Sequence, residues 1–192
     1  MLTQEKKKKQ CIDDADISCE FPVNLPNFYS SNQDHNRGES NPESNFDFFL
    51  CITRYARLCS KAKRCLYSAT AFTHRLHTLF SIVEELDHDV GRWYESVPSS
   101  LRLEVPVSIA NLPRGKMFIQ AVVLHCCYKY LVCIIHSRLI RQVLWSRRDT
   151  VGRFEATDVK RLEKSAEASV KAARSIILLT RYVDVDNYTP SW

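Results

Sequence analysis

The stretch Leu76-His77-Thr78-Leu79-Phe80-Ser81-Ile82-Val83-Glu84-Glu85-Leu86-Asp87-His88-Asp89-Val90-Gly91-Arg92-Trp93 decides the fold. Leu76, Leu79, Val83, Leu86, Val90 and Trp93 recur at steps of three and four, which places them along one side of a helix. Glu84, Glu85, Asp87 and Asp89 lie off that seam, where a carboxylate keeps its hydration. Pro98 closes the segment, because its ring removes an amide donor and restrains Val97.

Working outward, three more segments carry the same period. Upstream, from Phe46, the residues Phe49, Ile52, Ala56, Cys59, Ala62 or Lys63, and Leu66 recur at helical spacing. Arg54, Arg57, Lys61 and Arg64 fall mostly between them, and the helix is expected to end near Ser68 to Thr70. Downstream, a loop over 99–114 holds Pro106 and Pro113, and a largely apolar helix then runs from Lys116 to about Trp145. Arg138, Arg141, Arg147 and Arg148 read as solvated cations that suit the negative end of its dipole. Gly152 marks a break. A last helix is expected from roughly Asp158 to Tyr182, capped by Thr157 or Asp158, with Val159, Leu162, Ala166, Val170, Ala173 and Ile177 on its inner face.

These elements make an all-α chain, a bundle of four long helices in which Met117 to Trp145 forms the centre. An extended N-terminal arm precedes it. Residues 1–45 read as a basic start, an acidic arm around Asp13, Asp14 and Asp16, and a polar loop from Ser30 to Ser44. Residues 46–183 form the helical domain and 184–192 a tail. The chain's 192 residues suit one domain with a sizeable core.

Composition narrows the function. The formal charge is +5, and Lys6, Lys7, Lys8 and Lys9 supply most of it, so the remainder is close to neutral and gives little footing for a polyanion. Those four lysines are a candidate nuclear import signal. Glycine occurs only at positions 38, 91, 115 and 152, too few and too scattered for a phosphate-cradling loop or a dinucleotide fingerprint. Nor is there a nucleophile elbow. An enzyme is therefore not the expected reading, and an all-α enzyme with scattered site residues stands as the least favoured alternative.

Eight cysteines raise the question of a disulfide scaffold or a metal site. Six of them (Cys51, Cys59, Cys65, Cys126, Cys127 and Cys133) sit inside helical patterns beside Leu, Ile and Tyr, as reduced thiols packed as small apolar groups do. His125, Cys126, Cys127, Cys133 and His136 are spread over three turns of one helix and cannot converge on a single ion. No metal is expected in this chain. His74 and His77 share a helix face and read as solvated, and Asp13, Asp14 and Asp16 lack the Gly and Glu that would complete a calcium loop. The apolar run from Met117 to Ile135 has bilayer length, yet Gln120, His125 and Lys129 interrupt it, so a soluble protein with no membrane partner is expected. The same polar positions, His125, Lys129 and His136, are the candidates for lining an effector pocket, against the commoner role of structural hydrogen bonding.

Several segments in order resemble the middle regulatory region of fungal zinc-cluster transcription factors. The arm Cys11-Ile12-Asp13-Asp14-Ala15-Asp16-Ile17 with Phe21-Pro22 is similar to that family's acidic stretch. Trp93-Tyr94-Glu95-Ser96-Val97-Pro98 followed by Leu101-Arg102 resembles its tryptophan and leucine-proline element. Leu124-His125, Tyr128, Leu131 and His136 resemble its leucine-histidine helix, and Ala172-Ala173-Arg174-Ser175-Ile176 its alanine-rich helix. Ser137-Arg138 stands where the family has Arg-Pro. The six-cysteine zinc cluster, its basic linker and the first half of the regulatory region have no counterpart here. The resemblance implies a nuclear regulator acting through protein partners, the missing half of its own domain or a small effector. It implies no direct DNA contact from this chain, and zinc only in a cluster lying outside it. A stand-alone helical interaction module is the alternative.

Overall fold

The computed structural model describes residues 46–103, 115–146 and 155–182. Lys6 to Lys9, the acidic arm, most of the proline-containing loop, Arg147, Arg148 and the tail lie outside the described residues. Four helices account for most of the rest: α1 (Phe48–Tyr67), α2 (Leu76–Glu95), α3 (Lys116–Ser146) and α4 (Ala156–Thr180), with short 3-10 turns at Thr70–Thr73 and Ser99–Leu101. No strand occurs among the described residues.

Local chemistry sets the helix ends. Asp47 caps α1 by accepting the Leu50 amide at 3.0 Å, so the first turn leaves that donor satisfied. Gly115, just before α3, has φ of 63°, a conformation that costs glycine nothing and strains a side-chain-bearing residue. The expected caps of α4 are corrected. Its N-cap is Glu155, which makes no side-chain cap bond, and Asp158 instead sits in the first turn, where its charge suits the positive helix end.

α2 buries the seam that its sequence announces: Leu79, Val83, Leu86, Val90 and Trp93 are buried, and Phe80 joins them. Leu79, Phe80, Val83, Leu86 and Val90 join Ala62 and Leu66 of α1 and Leu131, Ile135 and Leu139 of α3 in one half of the core. The other half gathers Cys51, Trp93, Val97, Leu101, Leu103, Ala121, Leu124 and Leu179. Each large side chain removed from water here stabilises by about 1.5–3 kcal/mol before entropy is subtracted. α3 contacts all three other helices, most extensively α4. By length and composition Met117–Leu144 is also apolar enough to cross a membrane.

The inner face of α1 differs from the expectation. Phe49 is 68 % exposed and Ala56 is exposed, while Leu50, Cys51, Ala62 and Leu66 are buried and Tyr55 and Leu58 pack beside them. The helix is rotated so that Tyr55 meets the Trp93 ring at 5.2 Å and the Trp93 indole N–H donates to the Cys51 carbonyl at 3.0 Å. Satisfying that indole outweighs covering one phenyl ring.

Arg138 is the second correction. It is 1 % exposed and lies within the core, not in a solvated helix end. Its Nε donates to the Leu66 carbonyl at 2.9 Å, Nη2 to the Ala71 carbonyl at 3.3 Å and Nη1 to Gln142 Oε1 at 2.8 Å. The guanidinium also lies 4.9 Å from the Phe72 ring centre. One cation thus caps the Leu66 carbonyl in the last turn of α1 and reaches Ala71 in the 3-10 turn that follows, and Tyr67 ties the same end of α1 to α3 by donating to the Ile134 carbonyl at 2.7 Å.

Candidate functional site

The contact between α3 and α4 concentrates the polar groups of the core. α4 turns Ser165, Ser169, Ala172, Ser175 and Leu179 inward. These small residues let two helix backbones approach, and their hydroxyls answer polar side chains on α3. His125 Nε2 lies 2.9 Å from Ser175 Oγ, Cys133 Sγ 3.4 Å from Ser169 Oγ, and His136 Nδ1 2.7 Å from Ser165 Oγ. The pairs form a seam between two antiparallel helices.

His125, Lys129 and His136 all lie along α3 over about 16 Å of helix, and the structure does not bring them into one pocket. His125 is 1 % exposed, with Tyr94 Oη 3.2 Å from Nδ1 and Ser175 on the other nitrogen, so a neutral ring accepts at one nitrogen and donates at the other. Tyr94 stacks flat on Tyr128 at 4.2 Å, and Lys129 sits 4.7 Å above the Tyr128 ring. Burial, and secondarily the charge of Lys171, lowers the Lys129 pKa. His136 lines a groove of about 200 Å³ between α2, α3 and α4, with Glu84 and Asp87 on one wall, Arg161 and Lys164 on the other, and Ser165 beside it. Arg161 pairs with Glu84 across the groove and lies 4.3 Å from the Phe80 ring centre.

Burial, then the neighbouring Lys129 charge, pushes the His125 pKa down to about 4 from 6.5. The unfolded chain therefore takes up this proton first on acidification. The stability His125 contributes is complete above about pH 6.5 and is lost as the pH falls towards about 4, a change on the order of 3 kcal/mol. Urea melts across that window should show the decline in the wild type and a flatter profile in His125→Gln. A wild-type profile level from pH 6.5 to 4 would contradict the burial of a neutral ring.

Asp87, His136 and Ser165 stand in one hydrogen-bonded line, with Asp87 Oδ1 3.3 Å from His136 Nε2. The arrangement has the order of an acyl-transfer triad without its other parts. Ser165 is 3 % exposed and lies within α4, where backbone N–H groups are spent on helix bonds and none is aimed at a developing oxyanion. The line positions helices. Among the described residues no group of His, Cys, Asp and Glu can hold a metal ion. The six described cysteines are free, and burial raises the pKa of Cys51 and of Cys127 to about 11, which keeps both as unreactive thiols.

The inner face expected for α4 is only partly buried: Leu162 packs beside the core and Ala166 and Ala173 are half-buried, while the other three positions face outward. Val159 is 41 %, Val170 48 % and Ile177 66 % exposed, and Leu178 is exposed as well. On α3, Ile119, Val123 and Tyr130 are exposed. The register of the His125–Ser175 and His136–Ser165 pairs sets Val123 level with Ile177 and Tyr130 level with Val170, so both helices expose apolar side chains at matching heights. The serine spacing on α4 was the available signal for its inner side, since Ser165, Ser169, Ala172, Ser175 and Leu179 also recur in steps of three and four.

No protein-family model matches the chain, and no solved structure does. Two curated fungal proteins are similar to it, one from Aspergillus fumigatus and one from Aspergillus oryzae, both described as an ABC-transporter-regulating transcription factor. Each is 27 % identical over 184 residues, covering 94 % of this chain and 20 % of the relative. The chain is thus distantly related to fungal transcription factors and spans about a fifth of their length.

Proposed function

We propose that this chain is the C-terminal part of the regulatory domain of a fungal transcription factor, working in the nucleus through protein contacts and not by reading DNA itself. The observation that carries the reading is the similarity over 94 % of the chain to two transcription factors. The exposed apolar side chains of α3 and α4 supply the means. Gathered on two packed helices, they suit an interaction surface, and its partner in this reading is the remainder of a longer regulatory region, as in relatives about five times the length of the matched segment. His125 then holds the α3–α4 seam through Ser175. A small effector, where one binds, meets the groove beside His136. Lys6 to Lys9 carry nuclear import.

The test is a tethering assay. The full chain, fused to a heterologous DNA-binding domain in a fungal host, is expected to shift reporter output from that of the DNA-binding domain alone. Equal output from the two, at equal nuclear abundance, would count against a regulatory role and favour a stand-alone interaction module.

A further inference from the structure

Two parallel helices frame the groove over α3. Asp87 and Tyr94 of α2 meet His136 and His125 of α3, and Ser165 and Ser175 of α4 meet the same two rings, so α2 and α4 run in one direction on either side of α3. Glu84 and Asp87 are about one turn apart on α2, as are Arg161 and Lys164 on α4. Equal steps on parallel helices set two rungs of opposite charge across the groove. An ion pair closes the Glu84–Arg161 rung. The Asp87–Lys164 rung is open: both residues line the groove, yet among the described residues no hydrogen bond or ion pair joins them. Asp87 meets His136 Nε2 through Oδ1 at 3.3 Å, which leaves its other oxygen for a further donor. Lys164 is exposed and has no acceptor among the described residues.

Size and lining narrow what can close that rung. Val83, Leu139 and Ala168 give the groove apolar walls, and its volume is about 200 Å³. A cavity of about 150 Å³ takes benzene, so this one suits a molecule of roughly eight heavy atoms. Such a molecule needs a cation for Asp87, an anion for Lys164 a few bonds away, and a short aliphatic group for the apolar walls. Charge-assisted bonds at both ends favour a zwitterion over a simple acid or amine. We infer that the groove binds a small free α-amino acid with an aliphatic side chain, its ammonium on Asp87 and its carboxylate on Lys164. The inference deepens, and rests on, the reading of this groove as the place where a small effector meets the regulatory domain.

Titration of the full, isotope-labelled chain with L-valine, followed by the NMR shifts of its backbone amides, tests this directly. The expected result is saturable shifts confined to the groove segments of α2, α3 and α4 around Asp87, His136 and Lys164, with a Kd on the order of 1 mM, as a ligand of this size allows. L-valinamide lacks the carboxylate, and the hydroxy-acid isostere of valine lacks the ammonium. Each should bind at least about tenfold more weakly. These analogues probe both charges with the chain unaltered. Asp87→Asn and Lys164→Met, both at exposed positions, should weaken L-valine binding by a similar factor at unchanged melting temperature, while Lys171→Met, outside the groove lining, leaves it unchanged. Binding of either analogue as tightly as L-valine would overturn the assignment. So would shifts centred outside the groove, or no saturable shift up to about 50 mM. A flat titration leaves the tethering result untouched, because the two experiments read different contacts, so failure here is distinguishable from failure of the regulatory reading.

Discussion

Arg138→Met should lower the unfolding free energy by about 3–5 kcal/mol, read from urea melts followed by circular dichroism. The guanidinium is 1 % exposed and donates to the carbonyls of Leu66 and Ala71. Methionine fills much of the volume and offers no donor, so both oxygens stay buried and lose this partner. Arg138→Lys should recover only a minor part, because a point-like ammonium cannot reach both carbonyls and Gln142 in the geometry of the planar fork. A loss below about 1 kcal/mol would place Arg138 among ordinary surface cations.

The second large effect discriminates between the two faces of α4. Ala172 is 2 % exposed on the inward side of α4, and an aspartate there buries an unpaired charge within the helix contact. Ala172→Asp is expected to cost at least about 3 kcal/mol. Val170→Asp, two residues away on the outward side, should change stability by less than about 0.5 kcal/mol. The opposite order would mean that α4 packs through Val159, Val170 and Ile177.

The fate of α4 shows what could be read in the sequence. Four helices and their order were legible, because α2 alternates apolar and charged groups around one seam and Pro98 ends it. Which way α4 faces was not legible from hydrophobicity. Valines and isoleucines at helical spacing look like an inner face. The residue that decides the matter is on another helix, since His125 and His136 of α3 lie buried or half-buried and need hydroxyl partners that only the serine side of α4 supplies. The same reason hides Arg138. Its acceptors at Leu66 and Ala71 lie some seventy positions away along the chain, and a cation late in a helix otherwise reads as solvated. Of the candidate site, the three polar positions on α3 could be named in advance, whereas their separation into a closed histidine, a lysine over an aromatic ring and a groove-lining histidine depends on Tyr94, Tyr128 and Ser175.

An α4 that buries its serines and exposes Val159, Val170 and Ile177 supplies the apolar surface that the proposed regulatory role requires. Two substitutions that leave the bundle intact, Val170→Asp and Ile177→Asp, remove the apolar character of that outer face. The most direct measurement is reporter output from the tethered chain carrying both, compared with wild type at equal abundance and equal melting temperature. The account predicts that the doubly substituted chain falls back to the output of the DNA-binding domain alone. Full retention of the wild-type effect would contradict it.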